Sequence, residues 1–550
     1  MVFGGRLTSL QHAAALLKED NKEQAITLLQ ELAKKTDTKE PALRQLLRLA
    51  LAEQRWKEAK NYVVCLQQLN PSSREYRQVI TDIGEHLGDF TFICAGYERY
   101  LQCHDTDDTA HFNCGYYARK ATRPEIAIRH FERALELGIE DPHEVHLNLA
   151  LVYSDLLLDP ETAQQWLGKA LELKPDYVDA LFNLAAIKEF AGDKCAAKQL
   201  FEQVLTIDAQ HPLALSRLAD LEKFNTESAH NYVTRCQDVM TKMPAQLRCD
   251  LHYSCGKALD DAKLYKQAWR HYYQANSLNK QSLAPFNVAS LERIEQNIFA
   301  RAEHISQLAA QDSPSVQPII ICGMFRSGST LLEQILGASG CIQAGGELEF
   351  VHRQLFELSN KPIQLLNKAG TPGFAHAYDD LLVSVAKGHG WVTDKRPENY
   401  LYIDILKQLY PGLKVIWTQR DIRDNALSAY FQRLGPSLNY ATDLDNIRHM
   451  YEHQQRLKAH WHQQYGNDIM TVEYEQLVAQ PEQVLTTLFS QLGIQYDGEA
   501  ERFHNQRSHV RTASVWQVRK PLYSSSVGRF EHYKEAILAQ RAFPYFSELL

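Results

Sequence analysis

Small and bulky apolar residues follow a pattern that repeats along the first half of the chain. Ala180 and Ala185 are matched by Ala214 and Ala219, which lie 34 residues further along the sequence. Within each stretch the apolar positions are three or four residues apart, which places their side chains on one face of a helix. Gly192 lies between two such stretches and marks a turn. The pattern therefore predicts pairs of amphipathic helices joined by short turns.

The same skeleton can be traced elsewhere in this half. It recurs at Ala25/Leu29/Leu32, Ala59/Val63/Leu66, Gly115 with Ala127/Phe131/Ala134, Ala150 with Ala163/Leu167/Ala170, and Gly256 with Ala268/Tyr272/Ala275. We count seven or eight candidate units before about residue 280, of which the one around Gly84 to Tyr100 is degenerate. The period resembles that of tetratricopeptide repeats, whose helix pairs stack into a superhelix with a concave binding face. A rigid spacer or dimerisation element is the alternative.

The pattern changes at Gln317, where PIIICGMFRSGSTLLEQIL predicts a buried strand at Ile319 to Cys322, a glycine-containing loop and a helix. A second such segment, KVIWTQRDIRDNALSAYFQRL, predicts a strand at Lys414 to Thr418 and a helix that begins near Ile422. A long amphipathic helix is expected at Tyr400 to Leu409. Strands that alternate with helices predict an α/β domain with a parallel sheet.

Length and composition predict how these parts are organised. A chain of 550 residues exceeds what one core usually organises. We expect a repeat superhelix at 1–280, a helical linker at 281–315 and an α/β domain at 316–550. The net charge of −8 argues against nucleic-acid binding, and no apolar run is long enough for a membrane span. Ten cysteines without a CxxC pair, and no recognisable targeting segment, predict reduced thiols in a cytoplasmic protein.

The loop of the first strand-loop-helix segment is a phosphate loop without its lysine. Gly323-x4-Gly328 followed by Ser329 and Thr330 fits the template G-x4-G-K-[ST] at every fixed position except lysine. That lysine serves the β- and γ-phosphates of a triphosphate, whereas here the cation is Arg326. A guanidinium suits a single 5′-phosphate that carries a sulfuryl group. An ATP- or GTP-using phosphotransferase is the competing interpretation.

These residues resemble the sulfotransferase superfamily, and specifically the protein-tyrosine sulfotransferases and the bacterial tetratricopeptide-repeat sulfotransferases. The resemblance covers about residues 317 to 535. It implies that the donor is 3′-phosphoadenosine-5′-phosphosulfate (PAPS) and that no metal is needed. It assigns the 5′-phosphosulfate to five loop residues, namely Arg326, Ser327, Gly328, Ser329 and Thr330.

The same resemblance implies contacts with the rest of the nucleotide. Arg420 and Ser428 correspond to the arginine and serine that bind the 3′-phosphate, and they lie at a strand end and two helical turns further on. Tyr474, in VEYEQLV, corresponds to a residue near the nucleotide. Ser514 corresponds to a serine that touches the phosphosulfate. Arg529 stands where relatives often have a lysine that contacts the 3′-phosphate.

Sulfuryl transfer needs a base for the acceptor proton and cations for the leaving phosphate. The resemblance assigns the base to Glu347, in AGGELEF, where relatives usually have two acids in succession. Glu349 is the rival base. Lys395, in WVTDKRP, corresponds to the cation that neutralises the bridging oxygen, and Arg326 is expected also to stabilise the transferring group.

Three histidines, His449, His453 and His460, share one helical face and raise the alternative of a metal site. The same spacing occurs on any amphipathic helix, so a packed or solvated face is favoured.

The sequence thus predicts sulfuryl transfer from PAPS to a hydroxyl, with tyrosine in a peptide favoured as acceptor. The repeat superhelix is expected to bind the acceptor protein or peptide, with no nucleic acid or membrane as partner. A homodimer is one state that the sequence allows. Sulfation of a carbohydrate or small phenol is an alternative, and so is a repeat scaffold with a nucleotide-binding pseudoenzyme domain.

Overall fold

The computed structural model describes most of the chain in two compact units, Met1–Ile187 and Lys188–Leu550. The described residues are 4–244, 248–301, 304–308, 315–359, 361–496, 498, 500, 503 and 522–550, without the side chains of 4–8, 307, 357, 362 and 372. The boundaries 1–280, 281–315 and 316–550 that the sequence suggests stay a prediction.

The described part of the first unit is helical throughout. Its helices are α1 (Gly4–Lys18), α2 (Lys22–Leu32), α3 (Lys39–Ala52), α4 (Trp56–Leu69), α5 (Arg74–Leu87), α6 (Phe90–Leu101), α7 (Asp108–Lys120), α8 (Pro124–Glu136), α9 (Pro142–Leu151) and α10 (Pro160–Leu173), and it ends within α11 (Val178–Ala191). A π-helical turn, Val152–Leu156, follows α9.

The repeated small residues are buried where the sequence pattern expects them. Ala25, Ala59, Ala127 and Ala163 are fully buried, each on the second helix of a pair. Small side chains there let the neighbouring helix approach closely, as the repeat pattern requires. The mostly helical, tetratricopeptide-type organisation of this half is therefore confirmed.

On the first helix of a pair, a glycine leaves room for a bulky side chain of the second helix. A Cβ at Gly115 would lie 2.8 Å from the ring of Phe131. In the unit predicted to be degenerate, a Cβ at Gly84 would lie 2.2 Å from Ile93. Isoleucine there takes the position of an aromatic ring, so α5 and α6 keep the same small-to-large packing although the sequence signal is weak.

The second unit continues with helices and adds a sheet. Its helices are α12 (Lys194–Ile207), α13 (Pro212–Leu221), α14 (Thr226–Met240), α15 (Arg248–Asp261), α16 (Tyr265–Ser282), α17 (Val288–Arg301), α18 (Ser329–Ala338), α19 (Phe350–Leu355), α20 (Pro362–Ala369), α21 (Pro372–Ala386), α22 (Ile403–Leu409), α23 (Ile422–Tyr430), α24 (Leu444–Tyr465), α25 (Tyr474–Ala479), α26 (Pro481–Leu492), α27 (Lys534–Gln540) and α28 (Pro544–Ser547). None of the helices within the described residues combines the length and apolarity that crossing a membrane requires.

Five parallel strands form the sheet of the second unit. They are β1 (Gln317–Gly323), β2 (Ile342–Gln343), β3 (Trp391–Asp394), β4 (Lys414–Gln419) and β5 (Ile469–Glu473), in the order β2-β3-β1-β4-β5. Alternate β1 residues enter different cores, because Ile319 and Ile321 pack on one face while Ile320 and Cys322 pack on the other. Burial on both faces explains why β1 is a continuous apolar run. The carboxyl ends of all five strands lie along one edge.

The predicted helix at Tyr400 to Leu409 is shorter than expected. A 3-10 helix, Pro397–Tyr402, precedes α22. The carbonyl of Tyr400 accepts a hydrogen bond from the Trp461 indole at 2.9 Å, and that of Leu401 accepts one from the Arg301 guanidinium. Side chains thus donate the hydrogen bonds to these carbonyls that backbone amides would donate in an α-helix.

Helix α16 packs on residues that follow the sheet strand β4. Tyr272 stacks on Phe431 with ring centroids 3.9 Å apart. The Asn276 amide donates a hydrogen bond of 2.7 Å to the carbonyl of Tyr430. This helix therefore shares its core with the α/β part of the second unit.

Candidate active site

The loop between β1 and α18 has a backbone that few residues could adopt. Gly323 has a φ of 133°, and a Cβ there would lie 2.3 Å from the Thr418 carbonyl oxygen on β4. Arg326 has a φ of 70°, in the left-handed region that non-glycine residues rarely occupy. Backbone in sparsely populated conformations costs on the order of 1–3 kcal/mol and is concentrated at functional sites.

Ser327 and Gly328 fix this loop against its neighbours. The Ser327 hydroxyl donates to the Met324 carbonyl and lies 2.6 Å from the Thr418 hydroxyl. Gly328 has a φ of 100°, and a Cβ there would lie 2.7 Å from the Tyr474 ring. The loop is thus held by β4 on one side and by the start of α25 on the other.

Helix α18 begins directly after this loop. Ser329 and Thr330 are its first two residues, and both are buried. The first amides of a helix have no intrahelical partner and carry a partial positive charge, so this end can bind an anion. The residues predicted for the 5′-phosphosulfate therefore surround one helix N-terminus.

Arg326 brings the two predicted phosphate sites together. Its Nε donates a hydrogen bond of 3.1 Å to the hydroxyl of Ser428, which the sequence assigned to the 3′-phosphate. Burial, and then the charge of Arg420, lower the pKa of Arg326 to about 10. The guanidinium therefore stays charged at neutral pH, in a region where positive charge accumulates.

Arg420 is held by carbonyls and by a ring. Its guanidinium donates to the Ser526 carbonyl at 2.6 Å and to the Arg326 carbonyl at 3.4 Å, and its Cζ lies 4.7 Å from the centroid of the Tyr474 ring. The Tyr474 hydroxyl lies 2.7 Å from the hydroxyl of Ser526. The Nε of Arg420 is buried without a hydrogen-bond partner in the described part of the chain. The arrangement leaves this cation able to receive an anion.

Of the two site residues predicted near the end of the domain, only Arg529 lies within the described residues. Arg529 forms an ion pair with Asp260 of α15, and its Cζ lies 5.1 Å from the centroid of the Phe431 ring. The Tyr533 hydroxyl donates to the other oxygen of Asp260. Ser514 lies outside the described residues.

Glu347 and Lys395 form a direct pair at the carboxyl edge of the sheet. Lys395 follows β3, and its Nζ donates a hydrogen bond of 2.7 Å to Glu347 Oε1. The Lys395 side chain is 1% exposed, whereas that of Glu347 is 33% exposed. A carboxylate that solvent can reach and a buried ammonium together could accept a proton and stabilise a nearby negative charge.

The comparisons with known proteins now identify this part of the chain. A family model described as "Sulfotransferase family" matches residues 318–498. These residues form a sulfotransferase domain. The match contains the loop between β1 and α18 (residues 324–328), which we call the anion loop, together with Glu347, Lys395, Arg420 and Tyr474.

Two curated relatives are similar to the chain. An "Uncharacterized protein" of Aquifex aeolicus (strain VF5) is 27% identical over 391 residues, which are 68% of this chain and 51% of that protein. The chain thus spans about half the length of this relative. A "Putative protein-tyrosine sulfotransferase" of Caenorhabditis briggsae is 25% identical over 197 residues, which are 34% of this chain and 69% of that protein.

Solved structures are similar to each half of the chain. The sulfotransferase domain of the Synechococcus PCC 7002 olefin synthase is 21% identical with a TM-score of 0.32, over 43% of this chain and 100% of that one. A tetratricopeptide repeat protein from Parabacteroides merdae ATCC 43184 is 18% identical with a TM-score of 0.32, over 44% of this chain and 93% of that one.

Glu349, the rival base in the sulfotransferase domain, is engaged elsewhere. It forms an ion pair with Arg396 and is 63% exposed. Arg396 also lies 3.3 Å from Glu398, whose pKa is raised by burial. Glu349 therefore belongs to a separate ion-pair cluster.

The three histidines do not meet at a common point. His449 stacks on Tyr545, His453 Nδ1 lies 2.6 Å from Glu295, and the His460 ring packs on that of Trp461. No group of three or more His, Cys, Asp or Glu residues that could hold a metal occurs among the residues with described positions.

Sequence reasoning missed residues that the fold brings to this site. Glu333 on α18 lies beneath the loop that carries Glu347, and its sequence signal is an acid within the apolar run STLLEQIL. Asp260 pairs with Arg529 across 269 residues of sequence. No local pattern marks Asp260, because the partner comes from a distant segment.

Proposed function

We propose that this protein transfers a sulfuryl group from PAPS to an acceptor hydroxyl, and that the acceptor is tyrosine in a protein. The observation that carries the proposal is the approach of two arginines, in which the Arg420 guanidinium donates to the Arg326 backbone carbonyl while the Arg326 guanidinium donates to Ser428. Burial and the charge of Arg420 lower the pKa of Arg326, and positive charge concentrated in this way attracts negative charge. A nucleotide with phosphates at both ends supplies that charge.

The two phosphates of the donor would bind at two different places in this site. The 5′-phosphosulfate would lie at the N-terminus of α18 and the 3′-phosphate at Arg420 and Ser428, with Tyr474 and Arg529 nearby. Binding of the donor would exchange the Arg326–Ser428 hydrogen bond for bonds to the phosphates. The forked guanidinium of Arg420 suits a phosphate, which can accept two parallel hydrogen bonds.

The chemistry is an in-line transfer that these residues can support. The acceptor oxygen attacks sulfur as its proton passes to Glu347, and the bond from sulfur to the bridging phosphate oxygen breaks. Lys395 neutralises the charge that develops on that oxygen, and Arg326 stabilises the transferring group. Because Lys395 Nζ donates a hydrogen bond of 2.7 Å to Glu347 Oε1, the carboxylate of the base is oriented before the acceptor arrives.

Tyrosine is favoured as acceptor by the resemblance of the Glu347 and Lys395 segments to protein-tyrosine sulfotransferases. The Caenorhabditis briggsae relative carries that name. The helical repeats would bind the acceptor protein or peptide, as such concave surfaces commonly do. We propose the cytoplasm as the site of action.

The test is to incubate the purified full chain with PAPS and separate pools of tyrosine peptides, oligosaccharides and small phenols. Mass spectrometry would then detect the added sulfuryl group. Transfer to tyrosine peptides is expected. Transfer only to oligosaccharides or small phenols would contradict the acceptor, and binding of magnesium-ATP without affinity for adenosine 3′,5′-bisphosphate would contradict the donor.

A further inference from the structure

A buried carboxylate lies beneath the Glu347–Lys395 pair. Glu333, in the second turn of α18, is 3% exposed. Its Oε1 accepts hydrogen bonds from the Gly346 amide at 2.9 Å and from the Thr393 hydroxyl at 2.7 Å. Burial raises the pKa of Glu333, while the charge of Lys395 lowers it.

The partners of Glu333 are the backbone neighbours of the proposed base and cation. Gly346 directly precedes Glu347, and its carbonyl accepts a hydrogen bond of 2.9 Å from the Lys395 amide. The Thr393 hydroxyl, which donates to Glu333, also accepts from the Gly345 amide at 3.0 Å. One carboxylate therefore links the helix after the anion loop to both segments that carry the chemistry.

The loop can lie this close to β3 only because of its glycines. A Cβ at Gly345 would be 2.1 Å from the Thr393 carbonyl oxygen, and Gly346 has a φ of 73°. The neighbouring buried positions of α18 are apolar, since Leu332 and Leu336 are fully buried. A buried acid destabilises such a core unless it is hydrogen-bonded, and departures from local rules of this kind are found at functional sites.

We propose that Glu333 is a positioning residue that holds Glu347 and Lys395 at a fixed distance from the anion loop. This inference rests on the proposed sulfuryl transfer. Because Gly346 and Thr393 are both bonded to one carboxylate oxygen, loss of that oxygen would remove the hydrogen bonds that attach both segments to α18. A displacement of about 1 Å at a catalytic group can cost on the order of 100-fold in rate.

The experiment compares Glu333→Ala with Glu333→Gln. Glu333→Ala should lower kcat about 10- to 100-fold, with affinity for adenosine 3′,5′-bisphosphate within twofold of wild type. The carbonyl oxygen of Glu333→Gln can accept the same two hydrogen bonds, so this variant should recover most of kcat.

Glu295→Ala is the matched control, since Glu295 is another buried acid of the same unit, bonded to His453 and Arg456. It should lower the melting temperature while leaving kcat within about twofold of wild type. If Glu333→Ala does not fold, Thr393→Val removes one donor at nearly constant volume and should lower kcat in the same direction.

The possible outcomes distinguish failure of the positioning role from failure of the proposed sulfuryl transfer. A wild-type protein that transfers no sulfuryl group to any acceptor would overturn both. A wild-type protein that transfers while Glu333→Ala and Thr393→Val keep its kcat would overturn the positioning role alone. Equal losses of kcat and bisphosphate affinity would also overturn it, because the anion loop itself would then have been disturbed.

Discussion

Replacing Arg420 by alanine should weaken one specific part of nucleotide binding. The guanidinium is fixed by the Ser526 carbonyl and by the Tyr474 ring, so its other donors already have a defined direction. Its Nε has no partner within the described residues, and its bond to the Arg326 carbonyl is long, at 3.4 Å. Two donors are therefore available to a 3′-phosphate without breaking strong bonds.

The size of the effect follows from these two donors. A hydrogen bond to a charged group contributes about 1.5–3 kcal/mol, so two of them at the lower value contribute about 3 kcal/mol. That corresponds to roughly 100-fold in the dissociation constant. Arg420→Lys keeps the charge but not the fork, so it should lose about tenfold.

Calorimetry with adenosine 3′,5′-bisphosphate and with adenosine 5′-monophosphate would isolate the 3′-phosphate. Arg420→Ala should bind the bisphosphate about 100-fold more weakly, while the monophosphate is affected little. Arg423→Ala is the control, because Arg423 donates to Asp421 at 2.6 and 3.0 Å and lies over the Phe530 ring. If Arg420→Ala weakened both nucleotides equally, or no more than Arg423→Ala, the assigned contact would be wrong.

Further measurements test the chemistry, the electrostatics and the repeats. Glu347→Gln should lower kcat by about 10²–10⁴ and leave bisphosphate affinity nearly unchanged, which single-turnover kinetics with calorimetry would check. Burial raises the pKa of Asp394 to about 7, so the contribution of Asp394 to stability should fall as pH rises from about 4 to 7 and then level off. In Asp394→Asn that fall should be smaller in thermal unfolding; an identical pH dependence would contradict the assignment. Gly115→Ala should destabilise the first unit by about 1–3 kcal/mol because its Cβ meets a ring, while Gly168→Ala, with open space around it, should stabilise it by about 0.5–1 kcal/mol. Urea unfolding compares these two, and equal effects would refute the packing argument.

Local sequence patterns predicted the elements that depend on neighbouring residues. The run at Ile319 to Cys322 lies within β1, because a strand buried on both faces is continuously apolar. The helix expected near Ile422 begins there, where Asp421 caps it. The prediction of a helix at Tyr400 to Leu409 was wrong for the first turn. The carbonyls of that turn accept hydrogen bonds from side chains of distant helices.

The candidate site was predictable only in part for a similar reason. Arg326 and Arg420 each follow a predicted strand, and carboxyl ends of parallel strands share one edge of a sheet. Their contact could therefore be anticipated from topology. The role of Glu333 could not, because its hydrogen bonds to Gly346 and Thr393 depend on how a loop and a strand end pack on one helix.

The packing of α16 has a practical consequence for anyone who wishes to isolate the sulfotransferase domain. A fragment that starts at residue 316 would lose Asp260, so the half-buried guanidinium of Arg529 would need another counter-ion or water. It would also expose the Phe431 ring that Tyr272 covers. Expression of this domain alone should therefore begin before α15, and the shortest folded enzyme should carry its last repeat helices with it.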